Sequence, residues 1–147
     1  METVNIKIKI DKNGVEPKYM TEGAAGMDVF ADINEPVLIK PFERVLIPTG
    51  LYMEIPYGYE IQVRPRSGLA IKHGITLLNS PGTIDSDYRG EIKIIMINIS
   101  NTEYEIAAGE RICQFVVQKV IRANFIKSDI LTETKRESGG FGHTGKN

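Results

Sequence analysis

Cysteine, net charge and long apolar runs are all scarce in this chain of 147 residues, and each scarcity closes off a class of protein. The single Cys113 rules out an intrachain disulfide and supplies no thiol cluster for a metal. It falls in an apolar, strand-like run, where an inert core thiol is the natural reading. A net charge of −1 argues against a general affinity for nucleic acid, which needs a strong basic excess. Local basic residues can still hold a small polyanion. No apolar run approaches ~18 residues, and the N-terminus alternates polar with apolar, so neither a membrane span nor a signal peptide is expected. The expected location is therefore inside the cell: cytoplasmic, or nuclear if the source is eukaryotic or viral. No internal repeat or domain linker is visible. A hydrophobic share of 41% with 25% charged residues is ordinary for one soluble domain with a real core.

Proline and glycine punctuate what is present. Val4, Ile6, Ile8 and Ile10 alternate with Asn5, Lys7 and Lys9, a half-buried strand. Glu35-Pro36, Lys40-Pro41, Ile47-Pro48 and Ile55-Pro56 break the following segments, which excludes long helices there and leaves short strands at 37–39, 44–47 and 51–55. A strand over 59–65 carries Ile61 and Val63 on one face. Residues 66–74 interrupt the alternation and predict the one short helix. Strands follow at 92–100, 104–106 and 111–120, with Gly109-Glu110 as a turn. Many short strands with Gly/Pro turns predict an all-β jelly-roll-like barrel or sandwich. Ile94-Ile95-Met96-Ile97 breaks strict alternation, so that strand is expected to be buried on both faces, a hint of a subunit interface.

The chain is organised around residues 77–91. Asn79, Ser80, Pro81 and Gly82 are turn chemistry, and the flanking apolar residues predict a β-hairpin with free backbone N–H and C=O groups at its tip. Just beyond it come Asp85, Asp87, Tyr88 and Arg89. A nucleobase can be read by such a backbone, with Tyr88 on its sugar and Asp85 close to whatever the sugar carries. A tight surface hairpin with solvated charges fits the same residues.

Other signals are weak singly. Arg66-Ser67-Gly68 at a helix start resembles an anion site, or is a plain loop. Gln114 is a phosphate or water donor, or an outward polar residue. Asp28 orients a metal-bound water or caps a turn, and Asp85 is a general base or another turn acid. From residue 132 the composition turns charged and then glycine-rich, giving a division into a domain over 1–131 and an arm over 132–147. The arm is a disordered terminus or, given Arg136, Phe141 and Thr144 among its glycines, a segment that orders over a ligand.

Together and in order these stretches resemble the five motifs of the homotrimeric dUTPases: Ala25-Gly26-Met27-Asp28, Pro65-Arg66-Ser67-Gly68-Leu69-Ala70, Gly82-Thr83-Ile84-Asp85-Ser86-Asp87-Tyr88-Arg89-Gly90, Gly109-Glu110-Arg111-Ile112-Cys113-Gln114, and Arg136 to Gly145. The resemblance implies a jelly-roll homotrimer that hydrolyses dUTP to dUMP and pyrophosphate with Mg²⁺, at active sites shared between subunits. That activity keeps uracil out of DNA and supplies dUMP for dTMP synthesis. It implies neither nucleic acid nor membrane as partner.

Carried over residue by residue, Asn79, Gly82, Thr83 and Ile84 read the uracil edge, and Tyr88 packs where a 2′-hydroxyl would have to fit. Asp85 bonds the 3′-hydroxyl and activates the attacking water. Arg66, Ser67, Gly68 and Gln114 hold the phosphates, with Gln114 near the α-phosphate. Lys93 belongs to the substrate-binding set. Arg136 and Thr144 close over the γ end, Phe141 stacks on the base, and Gly142 belongs to the substrate-binding set. Asp28 touches the ion only through water, because Mg²⁺ keeps waters and the triphosphate can hold it without a protein cage. One residue departs from the pattern: His143 stands where the family usually has Ser. Two alternatives stay open, a dCTP deaminase-like enzyme of the same fold and a catalytically silent trimeric nucleotide-binding module. The first would need a catalytic Glu and a different sequence after Arg66.

Overall fold

The computed structural model describes residues 2–141; Gly142, His143, Thr144 and Gly145 lie outside them. Strands β1 (Lys7–Ile10), β2 (Lys18–Tyr19), β3 (Met27–Phe30), β4 (Val37–Ile39), β5 (Arg44–Glu54) and β6 (Tyr59–Pro65) precede a helix α1 (Ser67–His73). After it come β7 (Ile75–Leu77), β8 (Gly82–Ile84), β9 (Ile92–Asn98), β10 (Tyr104–Ile106) and β11 (Arg111–Lys119). They form a four-stranded sheet in the order β1-β5-β9-β7 and a five-stranded sheet in the order β2-β3-β11-β6-β8, with β10 and β4 paired separately. The fold is the all-β, jelly-roll-type sandwich that the patterning implies. Among the described residues no helix is long and apolar enough to cross a membrane.

Alternation decides what the sandwich buries. Ile61 and Val63 on β6 face Phe115 on β11 and Ile94 and Met96 on β9, all in the core. Each such side chain contributes about 1.5–3 kcal/mol on leaving water. Cys113 is fully buried in the same layer. Burial pushes its thiol far up, and the charge of Asp28 adds to that. Asn98 is the polar exception: its amide donates to Ile39 O at 2.9 Å and Thr102 O at 2.7 Å. Its Oδ1 accepts from Ser100 N and Oγ at 2.9 and 2.7 Å, so nothing on this fully buried side chain is orphaned.

Helix α1 is short because Gly74 stops it in the left-handed region, at φ 64°. A side chain there would also meet Ser100 Cβ at 2.8 Å. Lys72 and His73 in its last turn complement the helix dipole.

Three features differ from the sequence reading. First, the limbs that enter and leave residues 78–91 do pair antiparallel, but the strand just past the Asn79–Gly82 turn joins the other sheet. β7 pairs with β9 in one sheet, and β8 pairs with β6 in the other. Residues 78–91 are therefore an excursion that leaves one sheet, adds a strand to the other and returns. Turn residues specify that the chain reverses, but not which neighbour the next strand meets. Second, β5 runs unbroken through Pro48. The proline sits at an irregularity between Pro48 and Leu51, where a missing N–H is tolerated. Third, β9 is fully buried on one face only: Ile92, Ile94 and Met96 are buried, Ile95 and Ile97 are half-buried, and Lys93 is exposed.

After Lys119 the chain leaves the sheets. Ile121, Phe125, Ile126, Ile130 and Leu131 are exposed. Further on, Thr134 and Glu137 bond each other's backbone, and Arg136 Nε donates to Gly139 O at 2.8 Å.

Candidate active site

The excursion builds a cavity of about 210 Å³. Val63 and Ile84 from one sheet and Leu77, Ile92 and Ile94 from the other supply its apolar wall, and Asn79, Gly82, Thr83, Asp85, Tyr88 and Lys93 its rim. Gly82 is tight: a Cβ there would lie 3.2 Å from Val63 Cβ and 3.3 Å from Asn79 Nδ2. Tyr88 N donates to Asp85 O at 3.2 Å, folding the loop so that both side chains face the cavity. The Tyr88 hydroxyl donates to Glu91 O at 2.9 Å. Gly90 makes that posture possible, since any Cβ at 90 would come within 2.4 Å of the Tyr88 hydroxyl oxygen. Glu91, in turn, accepts from Gly50 N at 3.2 Å and pairs with Lys93 at 3.2 Å. Asp85 also lines a neighbouring recess of about 280 Å³ beside Tyr57, Glu60 and Arg122, so it stands between two hollows.

A second cluster lies on the outer face of the five-stranded sheet. Gln114 stands opposite Asp28 on one side and Arg64 on the other, on the face away from Phe115 and Val63. Asp28, only 3% exposed, accepts from Gln114 Nε2 through Oδ1 and from an Arg111 guanidinium nitrogen through Oδ2, both at 2.9 Å. Arg66 Nε comes within 3.9 Å of Oδ1, and the same guanidinium donates to Arg111 O at 2.9 Å. Arg66 precedes α1, and Ser67 and Gly68 open its first turn, exposed. Behind them the Tyr104 hydroxyl donates to Glu110 and its ring lies 4.8 Å from that of His73. Burial and the Glu110 bond push that phenol far up. His73 is thus a packing residue at the end of α1.

The residues singled out by sequence are therefore divided between the two clusters and the terminal segment. Asn79, Gly82, Thr83, Ile84, Asp85, Tyr88 and Lys93 meet around the cavity, whereas Arg66, Ser67, Gly68 and Gln114 do not line it. Arg136 and Phe141 stand on the exposed terminal segment and do not line it either. Arg111 and Glu91 were missed as anchors. Arg111 lies three residues before Gln114 in a quoted motif, but its partner Asp28 is 83 residues away in sequence. A larger hollow, about 840 Å³, opens among Val4, Ile6, Met20, Met53 and Val117, and holds no residue of either cluster.

Comparison with known proteins agrees along the whole chain. The family model for dUTPase matches residues 12–145. A deoxyuridine 5'-triphosphate nucleotidohydrolase of Fusobacterium nucleatum is 59% identical over 147 residues, covering 99% of this chain and 100% of that protein. One from Finegoldia magna is 57% identical over 142 residues, with 97% and 99% covered. Among solved structures, a Staphylococcus bacteriophage 80alpha dUTPase with dUpNHpp superposes with a TM-score of 0.86 at 25% identity, covering 97% of this chain and 99% of that one. With motifs, fold and relatives in agreement, the chain belongs to the dUTPase family.

Proposed function

We propose that the chain is a dUTP diphosphatase, releasing dUMP and pyrophosphate. The observation that carries the reading is the cavity, which gathers Asn79, Thr83, Asp85 and Tyr88 around an apolar slot. At about 210 Å³ it is smaller than the ~300–1,000 Å³ of a whole small-molecule site. It suits a base and part of a sugar, with the triphosphate outside. On this reading the walls of the slot exclude the 5-methyl of thymine, and Tyr88 packs against the sugar where a 2′-hydroxyl would have to fit.

The chemistry follows from those placements. Water must attack the α-phosphorus in line while pyrophosphate leaves, so catalysis is positioning, charge neutralisation and one general base. Asp85 at the sugar end of the slot takes the proton from water. Gln114 orients the α-phosphate, and Arg66, Ser67 and Gly68 receive the remaining phosphate charge. Arg136, Phe141, Gly142 and Thr144 close over base and phosphates and shut out solvent.

Magnesium fits only in one manner. Among the described residues no group of three or more His, Cys, Asp or Glu could hold an ion. The residues present thus suit an ion carried by the triphosphate, with any role of Asp28 confined to a bridging water. When bound, such an ion supplies charge neutralisation at the phosphate oxygens. A staphylococcal phage phi11 dUTPase of the same fold, with a TM-score of 0.78 at 20% identity, is described with a structural Mg(II) ion.

Separation of the cavity from the Arg66–Gln114 cluster within one chain supports a homotrimer whose sites draw on more than one subunit. The functional test is pyrophosphate release from dUTP, dCTP and UTP side by side with Mg²⁺. Release from dUTP alone is expected. Ammonia from dCTP, or no turnover with nucleotide bound, would replace this reading with the deaminase or the silent binding module.

A further inference from the structure

We infer that Glu91 is a positioning residue for sugar selection, acting on Tyr88 from a bulge in β5; this rests on the nucleotide reading above. The ladder between β5 and β9 slips between Pro48 and Leu51: Pro48 faces Lys93, and Leu51 already faces Ile92. Thr49 and Gly50 are the surplus residues, and both are buried. Thr49 Oγ1 donates to Ile92 O at 2.6 Å, and Gly50 O accepts from Asp11 N at 2.8 Å. The Gly50 N–H has no ladder carbonyl opposite it, and donates to the Glu91 carboxylate Oε1 at 3.2 Å. Glycine alone suits this place: Gly50 lies at φ 66°, and a Cβ there would come within 2.6 Å of Asp32 Oδ2.

The bulge thus fixes where residue 91 sits, and with it the carbonyl that receives the Tyr88 hydroxyl at 2.9 Å. The two ends of Tyr88 are held by different bonds. Its backbone is tied within the loop, by Tyr88 N to Asp85 O at 3.2 Å and by Arg89 Nη1 to Tyr88 O at 2.9 Å. Its exposed ring is steadied at the far end by the bond to Glu91 O. Releasing the Glu91 side chain therefore loosens the ring that stands against the sugar and leaves the loop's own bonds in place. Glu91 also pairs with Lys93 through its other oxygen, Oε2, at 3.2 Å. Reach to Gly50 and charge for Lys93 are separable properties of this one side chain.

The ratio of kcat/KM for dUTP over that for UTP, read by pyrophosphate release, tests the inference beside the Tyr88 ring resonances of the nucleotide-free protein. Glu91→Asp keeps the charge for Lys93 but is too short to meet Gly50 N. Glu91→Gln keeps the reach and loses the charge, since its amide oxygen still accepts a hydrogen bond. Glu91→Asp and Glu91→Ala are each expected to narrow the ratio about three- to tenfold, the usual contribution of one hydrogen bond, and to shift the Tyr88 ring resonances. Glu91→Gln should leave both readouts near wild type. Tyr88→Phe, which lacks the hydroxyl, should narrow the ratio as Glu91→Ala does, and the two combined should do no more than either alone. Three results would overturn the inference. Glu91→Gln behaving like Glu91→Ala would assign the effect to the Lys93 pair, loss in proportion on both substrates would make Glu91 a support of the fold, and losses that multiply would separate it from Tyr88. Should Glu91→Ala fail to fold, the opposed outcomes expected of Glu91→Asp and Glu91→Gln decide the matter. Failure of the nucleotide reading looks different: the wild-type chain would release pyrophosphate from neither nucleotide while its Tyr88 ring resonances still followed Glu91.

Discussion

The cavity and the Asp28 cluster are built in opposite ways. The cavity has apolar walls from both sheets, and polar side chains at its rim are held by short-range bonds such as Tyr88 to Glu91. The cluster is made of charge, with one carboxylate meeting two guanidiniums and an amide drawn from β3, β11 and the start of α1. A flat, neutral base edge is told apart by shape and by fixed donors and acceptors. A triphosphate is held by charge, which acts over longer distances and tolerates looser geometry. On the proposed reading these two jobs lie in separate regions of one chain, and a homotrimer would bring them together.

The sharpest way to break that comparison is to damage one region per subunit. Asp85→Asn and Gln114→Ala should each be nearly inactive, the first by roughly 10²–10⁴-fold, the worth of a positioned base. Co-refolding them should restore activity in mixed trimers, some of whose sites pair an intact cavity with an intact cluster. Mixed trimers seen by native mass spectrometry without activity would mean that each site is built within a single chain. A smaller effect is expected from ending the chain at Leu131. A base–aromatic stack contributes about 1–3 kcal/mol, so analogue affinity should fall about 5- to 150-fold with the oligomer intact by light scattering. Unchanged affinity would remove Phe141 from the site.

Tyr88→Ala probes the cavity alone. It should narrow the kcat/KM gap between dUTP and UTP by about tenfold, as expected when steric exclusion of one hydroxyl is relieved. Proportional loss on both substrates would make Tyr88 a packing residue. The smallest effect lies beneath the charged cluster, at Cys113. Its thiol is pushed up in the folded state, so the native chain keeps a proton that the unfolded chain releases above the ordinary thiol range. Stability is thus fully present below the ordinary thiol range and falls by about 1.4 kcal/mol per pH unit above it. Cys113→Ala should flatten that slope in urea titrations, and a slope unchanged by the substitution would show that the buried thiol is not its source.

How far the sequence is legible depends on whether the signal is local. The Pro breaks and the alternation of Ile61 and Val63 locate β4 and β6, and Arg66-Ser67-Gly68 marks the start of α1, because strand period, helix start and turn chemistry are written within a few residues. Pairing is not local. The Asn79–Gly82 turn looks like a hairpin tip, and the strand it leads into joins the opposite sheet because Val63 and Ile61 on β6 offer it a partner there. Pro48 reads as a break, yet β5 absorbs it where its register shifts. The Asp28–Arg111 pair spans 83 residues, and nothing near either residue announces the other.

The route of residues 78–91 has a mechanical consequence. A ligand seated in the cavity rests on Val63 and Ile84 of one sheet and on Leu77, Ile92 and Ile94 of the other. It acts as a rivet through both layers of the sandwich, and neither layer can peel away without releasing it. Nucleotide at 100 times its Kd therefore adds about 2.7 kcal/mol against separation of the sheets, and amide exchange should slow in β6 and β9 together.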